Sequence, residues 1–137
     1  MTRVYVDMVA DLFHYGHVKF LKQARQFGDY LLVGIHSDKV VEEYKRLPIM
    51  TMEERIDTVS SCRYVDEVIP EAPLIIDQEW INAHDIDLVV HGDDFSAHME
   101  QLCYRAPIDM GILRIVSYTP GISTTEIIRR CKEYNGS

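Results

Sequence analysis

Apolar positions along the chain alternate between two periods. Short, nearly continuous β-branched and aliphatic runs recur at Arg3 to Val9 (RVYVDMV), Tyr30 to Ser37 (YLLVGIHS), Val65 to Pro70 (VDEVIP), Asp87 to Gly92 (DLVVHG) and Leu113 to Ser117 (LRIVS). Runs this short and this apolar are expected of strands buried on both faces. Between them the spacing turns helical. Val18, Leu21 and Ala24 mark one face of HVKFLKQARQF, with Gly28 as the expected C-cap, and DKVVEEYK follows the second strand. Thr51-Met-Glu-Glu54 is a capping box opening a helix to about Cys62, and DQEWINAHD is helical. Ser123-Thr-Thr-Glu126 is a second box, opening a last helix to about Tyr134 and leaving a loose tip at 135–137. No linker, repeat or low-complexity tract intervenes, so residues 1–137 read as one domain. Strands alternating with helices predict an α/β fold with a parallel sheet covered on both faces. Ligands of such sheets bind beyond the carboxyl ends of the strands, at the topological switch point.

Composition narrows the function. The 137 residues are 47% hydrophobic and 26% charged, as in an ordinary globular chain, and the formal net charge is -8. That sign disfavours nonspecific binding to nucleic acid or anionic membranes, yet leaves room for a small anion held by local cations and helix N-termini. Cys62, Cys103 and Cys131 are odd in number and form no CxxC pair, which favours a reducing, cytoplasmic setting. The N-terminus is too broken by charge for a secretory signal, and no run reaches transmembrane length.

Chemistry-bearing residues cluster just after the predicted strands. His14 and His17 flank Gly16 at the start of the first helix, next to unpaired amides and the positive end of the helix dipole. Imidazole donors there suit a phosphate, and Gly16 lets one approach the backbone. Metal ligation with a third residue such as His91 or Asp94 is the rival reading, and a structural role the third. HGDDF (His91 to Phe95) ends the fourth strand with paired carboxylates, suited to a hydroxyl, a ribose or Mg²⁺, or simply to a polar turn. Ser123, Thr124 and Thr125 open the last helix after TPG, at a phosphate-friendly terminus that a capping box explains as well. Lys45, Arg46, Arg55 and Arg63 read individually as surface cations. Trp80 and Tyr104 read as packing residues, and His36, His84 and His98 as structural.

Together, HYGH, RYVDEVI, HGDD and GISTT, in this order and over nearly the whole chain, resemble the cytidylyltransferases, most closely those acting on ethanolamine phosphate and glycerol 3-phosphate. The resemblance implies a Rossmann-like, doubly wound sheet of about five parallel strands, in a homodimer. It also implies transfer of CMP from CTP to a small phosphorylated alcohol, with Mg²⁺ and release of pyrophosphate. On this reading His14, His17, Lys45 and Arg63 are catalytic. Val9, Ala10, Asp11, Gly16, His91, Gly92, Asp94, Thr119, Gly121, Ser123 and Thr124 bind nucleotide, with Asp94 on the nucleotide or metal side. Asp7, Arg55 and Tyr118 face the acceptor. Two departures stand out. The family's Gly-Thr-Phe-Asp is here Met8-Val9-Ala10-Asp11, and its RTxGIS is Tyr118-Thr119-Pro120-Gly121-Ile122-Ser123, so an expected arginine is tyrosine, with Arg114 and Arg105 as the candidate substitutes. These changes point to an acceptor other than the two standard alcohol phosphates, a small phosphonate among them. An adenylyltransferase using ATP, a catalytically inactive nucleotide-binding module and a zinc protein are the competing readings.

Overall fold

A computed structural model of the chain describes residues 1–136. Its elements follow the order β1 (Arg3–Met8), α1 (Tyr15–Arg25), β2 (Tyr30–Ile35), α2 (Asp38–Glu42), α3 (Met52–Ser60), β3 (Glu67–Pro70), α4 (Gln78–Ala83), β4 (Leu88–Gly92), α5 (Ala97–Asp109), β5 (Leu113–Val116) and α6 (Thr124–Glu133). All four strand pairings are parallel, and the sheet order is β3-β2-β1-β4-β5. This is the Rossmann-like, doubly wound sheet that the alternating pattern and the motifs predicted. The strand order reverses between β1 and β4, which makes that boundary the crevice for a ligand.

Side-chain alternation along β1 divides the core. Val4 and Val6 pack with Leu31, Val33, Leu21, Ala24 and Val59 beneath α1 and α3. Tyr5 points the other way and packs with Leu32, Val89, Ile81, Cys103 and Tyr104 beneath α4 and α5. Because successive strand residues face opposite sides, Asp7 shares the face of Tyr5.

Several expected boundaries move. α1 is capped by Gln26, not Gly28. Gly28 instead allows a close approach, because a Cβ there would lie 2.6 Å from the Thr2 carbonyl oxygen. α2 stops at Glu42, three residues before the expected end. The Thr51–Glu54 box forms in both directions. At α6 Ser123 accepts from the Glu126 amide at 3.0 Å, but Glu126 turns its carboxylate to Arg129 and Arg130 instead of closing the box. α5 had no sequence signal: Pro107 lies inside it and Tyr104 breaks its dihedrals (φ -118°, ψ 21°), so the helical period is interrupted. Of the expected loose tip, Asn135 and Gly136 follow α6, and Ser137 lies outside the described residues. No helix among the described residues is long and apolar enough to cross a membrane.

Gly34 is the tightest point of the sheet. A Cβ there would collide with the Tyr5 hydroxyl and lie 2.7 Å from the Ala72 Cβ. Gly34→Ala is therefore expected to cost about 1–3 kcal/mol by overpacking. The buried Tyr5 hydroxyl has no well-aligned hydrogen-bond partner among the described residues, so Tyr5→Phe in the same chain should restore part of the loss. Thermal unfolding of the single and double variants checks this, and equal melting temperatures for Gly34→Ala and the parent would refute it.

Candidate active site

The β1–β4 crevice opens into a cavity of about 540 Å³. Its wall over α1 is built by an unusual helix cap. His14 is the N-cap and its Nδ1 accepts from the Gly16 amide at 3.0 Å, while His17 Nδ1 accepts from the His14 amide at 3.0 Å. This is a capping box in which both partners are imidazoles. Gly16 is demanded by it: a Cβ would sit 2.8 Å from His14 Cε1. Since each Nδ1 is an acceptor, each neutral ring carries its proton on Nε2. Burial holds both rings below the ordinary imidazole value; for His17, with His14 and Lys45 as neighbours adding to the effect, it falls to about 3. Both histidines are therefore neutral donors at physiological pH.

The β1–α1 loop that carries them is strained. Ala10 (φ 61°) and Leu12 (φ 49°) are left-handed without being glycine, and each such residue costs about 1 kcal/mol or more. Asp11 holds the loop in place. Its carboxylate accepts from the Ile49 and Met50 amides, both at 2.9 Å, and its carbonyl accepts from Thr124 Oγ1 at 2.9 Å. Asp11 thus joins the loop to α6 and to the segment before α3, and both of its carboxylate oxygens are engaged by protein amides.

Most of the site residues read from the sequence meet here. Val9, Ala10, Asp11, His14, Gly16, His17 and Lys45 line the cavity, as do His91, Gly92, Asp94, Tyr118, Thr119, Ser123 and Thr124, with Asp7 at its buried floor. Of the HGDD carboxylates, Asp93 accepts from the Tyr118 amide at 2.7 Å, whereas Asp94 faces the cavity within electrostatic range of Lys45. The Lys45 side chain is exposed overall, yet the protein around its ammonium pulls it below the ordinary lysine value. The Tyr118 hydroxyl donates to the Ile122 carbonyl at 2.9 Å, bracing the turn.

Three of these residues lie elsewhere. Arg55 is fully buried and does not line the cavity; it donates to the carbonyls of Val9 (2.7 Å) and His36 (2.9 Å) and to Asp38 (2.6 Å). It is a structural cation, not an acceptor contact. Gly121, at φ 81°, makes the turn into α6 and does not line the cavity. Arg63 is exposed between α3 and β3, over the Tyr64 ring, at the amino end of the sheet and away from the cavity of its own chain. Arg114 and Arg105 do not line it either: Arg114 binds backbone carbonyls and Arg105 pairs with Asp109.

The cavity also contains residues that sequence reasoning missed. Arg46 lines it beside Lys45, with no hydrogen bond or ion pair of its own among the described residues. Tyr44 and Tyr104 line it too, and so does His36, which pairs with Asp7. His36 directly follows β2, so the rule that marked the other motifs also covered it. Tyr104 lies on the helix with no sequence signal. Among the described residues no group of three or more His, Cys, Asp or Glu side chains is placed to hold a metal.

Comparison with known proteins gives the family of the chain. The model of the family described as cytidylyltransferase-like matches residues 8–130. The chain belongs to the cytidylyltransferase-like family. It is 46% identical over 132 residues to an ethanolamine-phosphate cytidylyltransferase of Dictyostelium discoideum, covering 93% of this chain and 37% of that protein. It is 40% identical over 132 residues to choline-phosphate cytidylyltransferase A of Mus musculus, covering 94% and 36%. The chain thus spans less than half the length of the curated relatives it matches. A lipopolysaccharide core biosynthesis protein from Thermoplasma volcanium superposes with a TM-score of 0.70 at 25% identity, over 87% of this chain and 97% of that one. A pantothenate synthetase from Thermus thermophilus shares the fold, with a TM-score of 0.59 at 12% identity, over 85% of this chain and 55% of that one.

Two variants separate chemistry from scaffold in this cavity. Removing one donor of the histidine pair, as in His17→Ala, is expected to lower kcat about 100-fold or more with the fold retained; a few-fold change would contradict the donor role. Arg55→Ala, by stranding carbonyls and Asp38, is expected to cost about 3 kcal/mol of stability. Unchanged denaturant unfolding of that variant would contradict the clamp.

Proposed function

We propose that the chain is a cytidylyltransferase domain that transfers CMP from CTP to a small phosphate or phosphonate bearing a cationic head, releasing pyrophosphate. The observation that carries this reading is the pair of neutral histidines whose Nε2 donors stand at a helix N-terminus inside the cavity. Relatives named for ethanolamine phosphate and choline phosphate support the acceptor class, and the anionic floor at Asp7 suits a cationic head. We retain the homodimer and the cytoplasmic location as part of the proposal.

In this reaction an acceptor oxygen forms a bond to the α-phosphorus of CTP as the bond to the pyrophosphate oxygen breaks. No covalent protein intermediate is needed, so the protein supplies position and charge. His14 and His17 donate to oxygens whose negative charge grows in the transition state. The amides at the starts of α1 and α6 add their partial charge. Lys45 and Arg46 neutralise the approach of one phosphate to the other. Mg²⁺, which takes one or two carboxylates with substrate phosphates, would find Asp94, since Asp7 and Asp11 are engaged by protein groups; bound there it would offset triphosphate charge. Arg46 also answers the loss of the family arginine at Tyr118, which weakens the sequence-based case for an unusual acceptor.

Pyrophosphate release with Mg²⁺ tests the proposal, comparing CTP with ATP against phosphoethanolamine, phosphocholine, glycerol 3-phosphate and 2-hydroxyethylphosphonate. Release with CTP and the cationic acceptors is expected. Release with ATP alone would make the chain an adenylyltransferase, and silence in folded protein an inactive module. Arg46→Ala should raise the acceptor KM about tenfold or more, and adding Tyr118→Arg should recover part of it. An unaffected KM would remove Arg46 from the site.

A further inference from the structure

At the cavity floor, His36 is held between two acceptors. Its Nδ1 lies 3.1 Å from the Ala72 carbonyl oxygen and its Nε2 lies 3.3 Å from Asp7 Oδ2. A carbonyl oxygen cannot donate, so Nδ1 must carry hydrogen to bond it, and Nε2 then meets a carboxylate. Both contacts are favourable at once only when both nitrogens are protonated, as imidazolium. Asp7 is constrained equally. Its Oδ1 accepts from the Tyr104 hydroxyl at 2.5 Å, while Oδ2 is buried against His36 Nε2. Asp7, His36 and Tyr104 all line the cavity.

We infer that His36 acts as a proton-exchange partner for the acceptor: its proton neutralises Asp7 in the empty site and leaves when a cationic head takes that place. The inference rests on the function proposed above. An ammonium group entering the cavity beside Asp7 brings a second positive charge next to the imidazolium. Two cations cannot share one buried carboxylate at low cost, so the weaker acid–base partner, His36, gives up its proton to solvent. Protons and acceptor then compete, and by linkage each weakens the other equally. A neutral-headed acceptor has no such competition, so His36 also sets specificity.

The surroundings agree. Burial alone would lower the His36 pKa, but Asp7 and the Ala72 carbonyl outweigh it and raise the value above 6.5. Burial would raise the Asp7 carboxyl, yet His36, His91 and Tyr104 hold it below its ordinary value. The other groups around the pair include Tyr5 on β1, Tyr44 and Lys45 after α2, Cys103 on α5 and Arg55 on α3. Lys45 opposes the His36 charge, and Arg55 binds the His36 carbonyl. With His36 raised and Asp7 lowered, the pair stabilises the empty protein fully between the ordinary carboxylate and imidazole values. Its contribution fades as pH rises through the raised His36 value, or falls through the lowered Asp7 value.

The test is KM for phosphoethanolamine between pH 6 and 8, set against a neutral-headed phosphate of similar size, ethyl phosphate, measured as substrate or competitive inhibitor. Each KM is first corrected for the fraction of dianionic phosphate, because the ammonium makes phosphoethanolamine the stronger acid. The expected result is a ratio that falls in favour of phosphoethanolamine as pH rises, by up to about tenfold per pH unit for one exchanged proton. His36→Gln, which keeps a donor near Nε2 without the titration, should flatten the ratio and lower the phosphoethanolamine KM at pH 6. Phosphoethanolamine turnover with a pH-independent ratio in the parent protein would overturn the inference and leave the cytidylyltransferase reading standing. No turnover of any acceptor would instead overturn that reading. The parent profile decides the matter even if His36→Gln fails to fold.

Discussion

The carboxyl end of the sheet is organised around one buried cation. The Arg55 guanidinium reaches from α3 to the carbonyl of Val9 at the end of β1, to that of His36 at the end of β2, and to Asp38 at the start of α2. Asp38 is 53% exposed while Arg55 is at 0%, so the pair keeps one end in water; the two carbonyls take Nη1, and Nε has no partner among the described residues. A buried charge bound this way costs little while intact and a great deal if any partner is removed. It fixes the ends of β1 and β2, and with them Asp7, His36 and the strained loop leading to α1. Asp11 completes the arrangement by fastening that loop to the segment before α3 and to α6.

What this scaffold holds is a separation of charge. The protein is acidic overall, at -8, but the α1 wall of its cavity presents neutral imidazole donors and helix amides, with Lys45 and Arg46 nearby. The floor presents Asp7, partly neutralised by His36. A ligand with phosphates at one end and a cation at the other complements both. Locking His14 and His17 in the Nε2–H form through their own capping bonds means that the donors need no reorganisation when charge develops. It also opposes uptake of a second proton by either ring.

The sheet was legible because its strands are short and apolar on both faces, and the capping box at Thr51 because its spacing is local. α5 was not legible, since Pro107 and the broken dihedrals at Tyr104 erase the helical period that the reading depends on. Among the residues that line the cavity, His14, His17 and Asp94 were marked by motifs after strands, and Lys45 only by the family resemblance. Arg55 was misplaced because a buried arginine and a phosphate-binding arginine look alike in sequence; only its three carbonyl and carboxylate partners, distant in the chain, distinguish them. His36 was passed over because its partner Asp7 lies on another strand, brought alongside by the β1–β2 register that pairs Met8 with Ile35.

The most direct test is nitrogen NMR of histidine-labelled protein at neutral pH, with and without CTP. The account expects unprotonated Nδ1 and protonated Nε2 for both His14 and His17, with the Nε2–H signals moving as CTP binds. Imidazolium forms, Nδ1–H tautomers, or Nε2–H signals indifferent to bound CTP would contradict it.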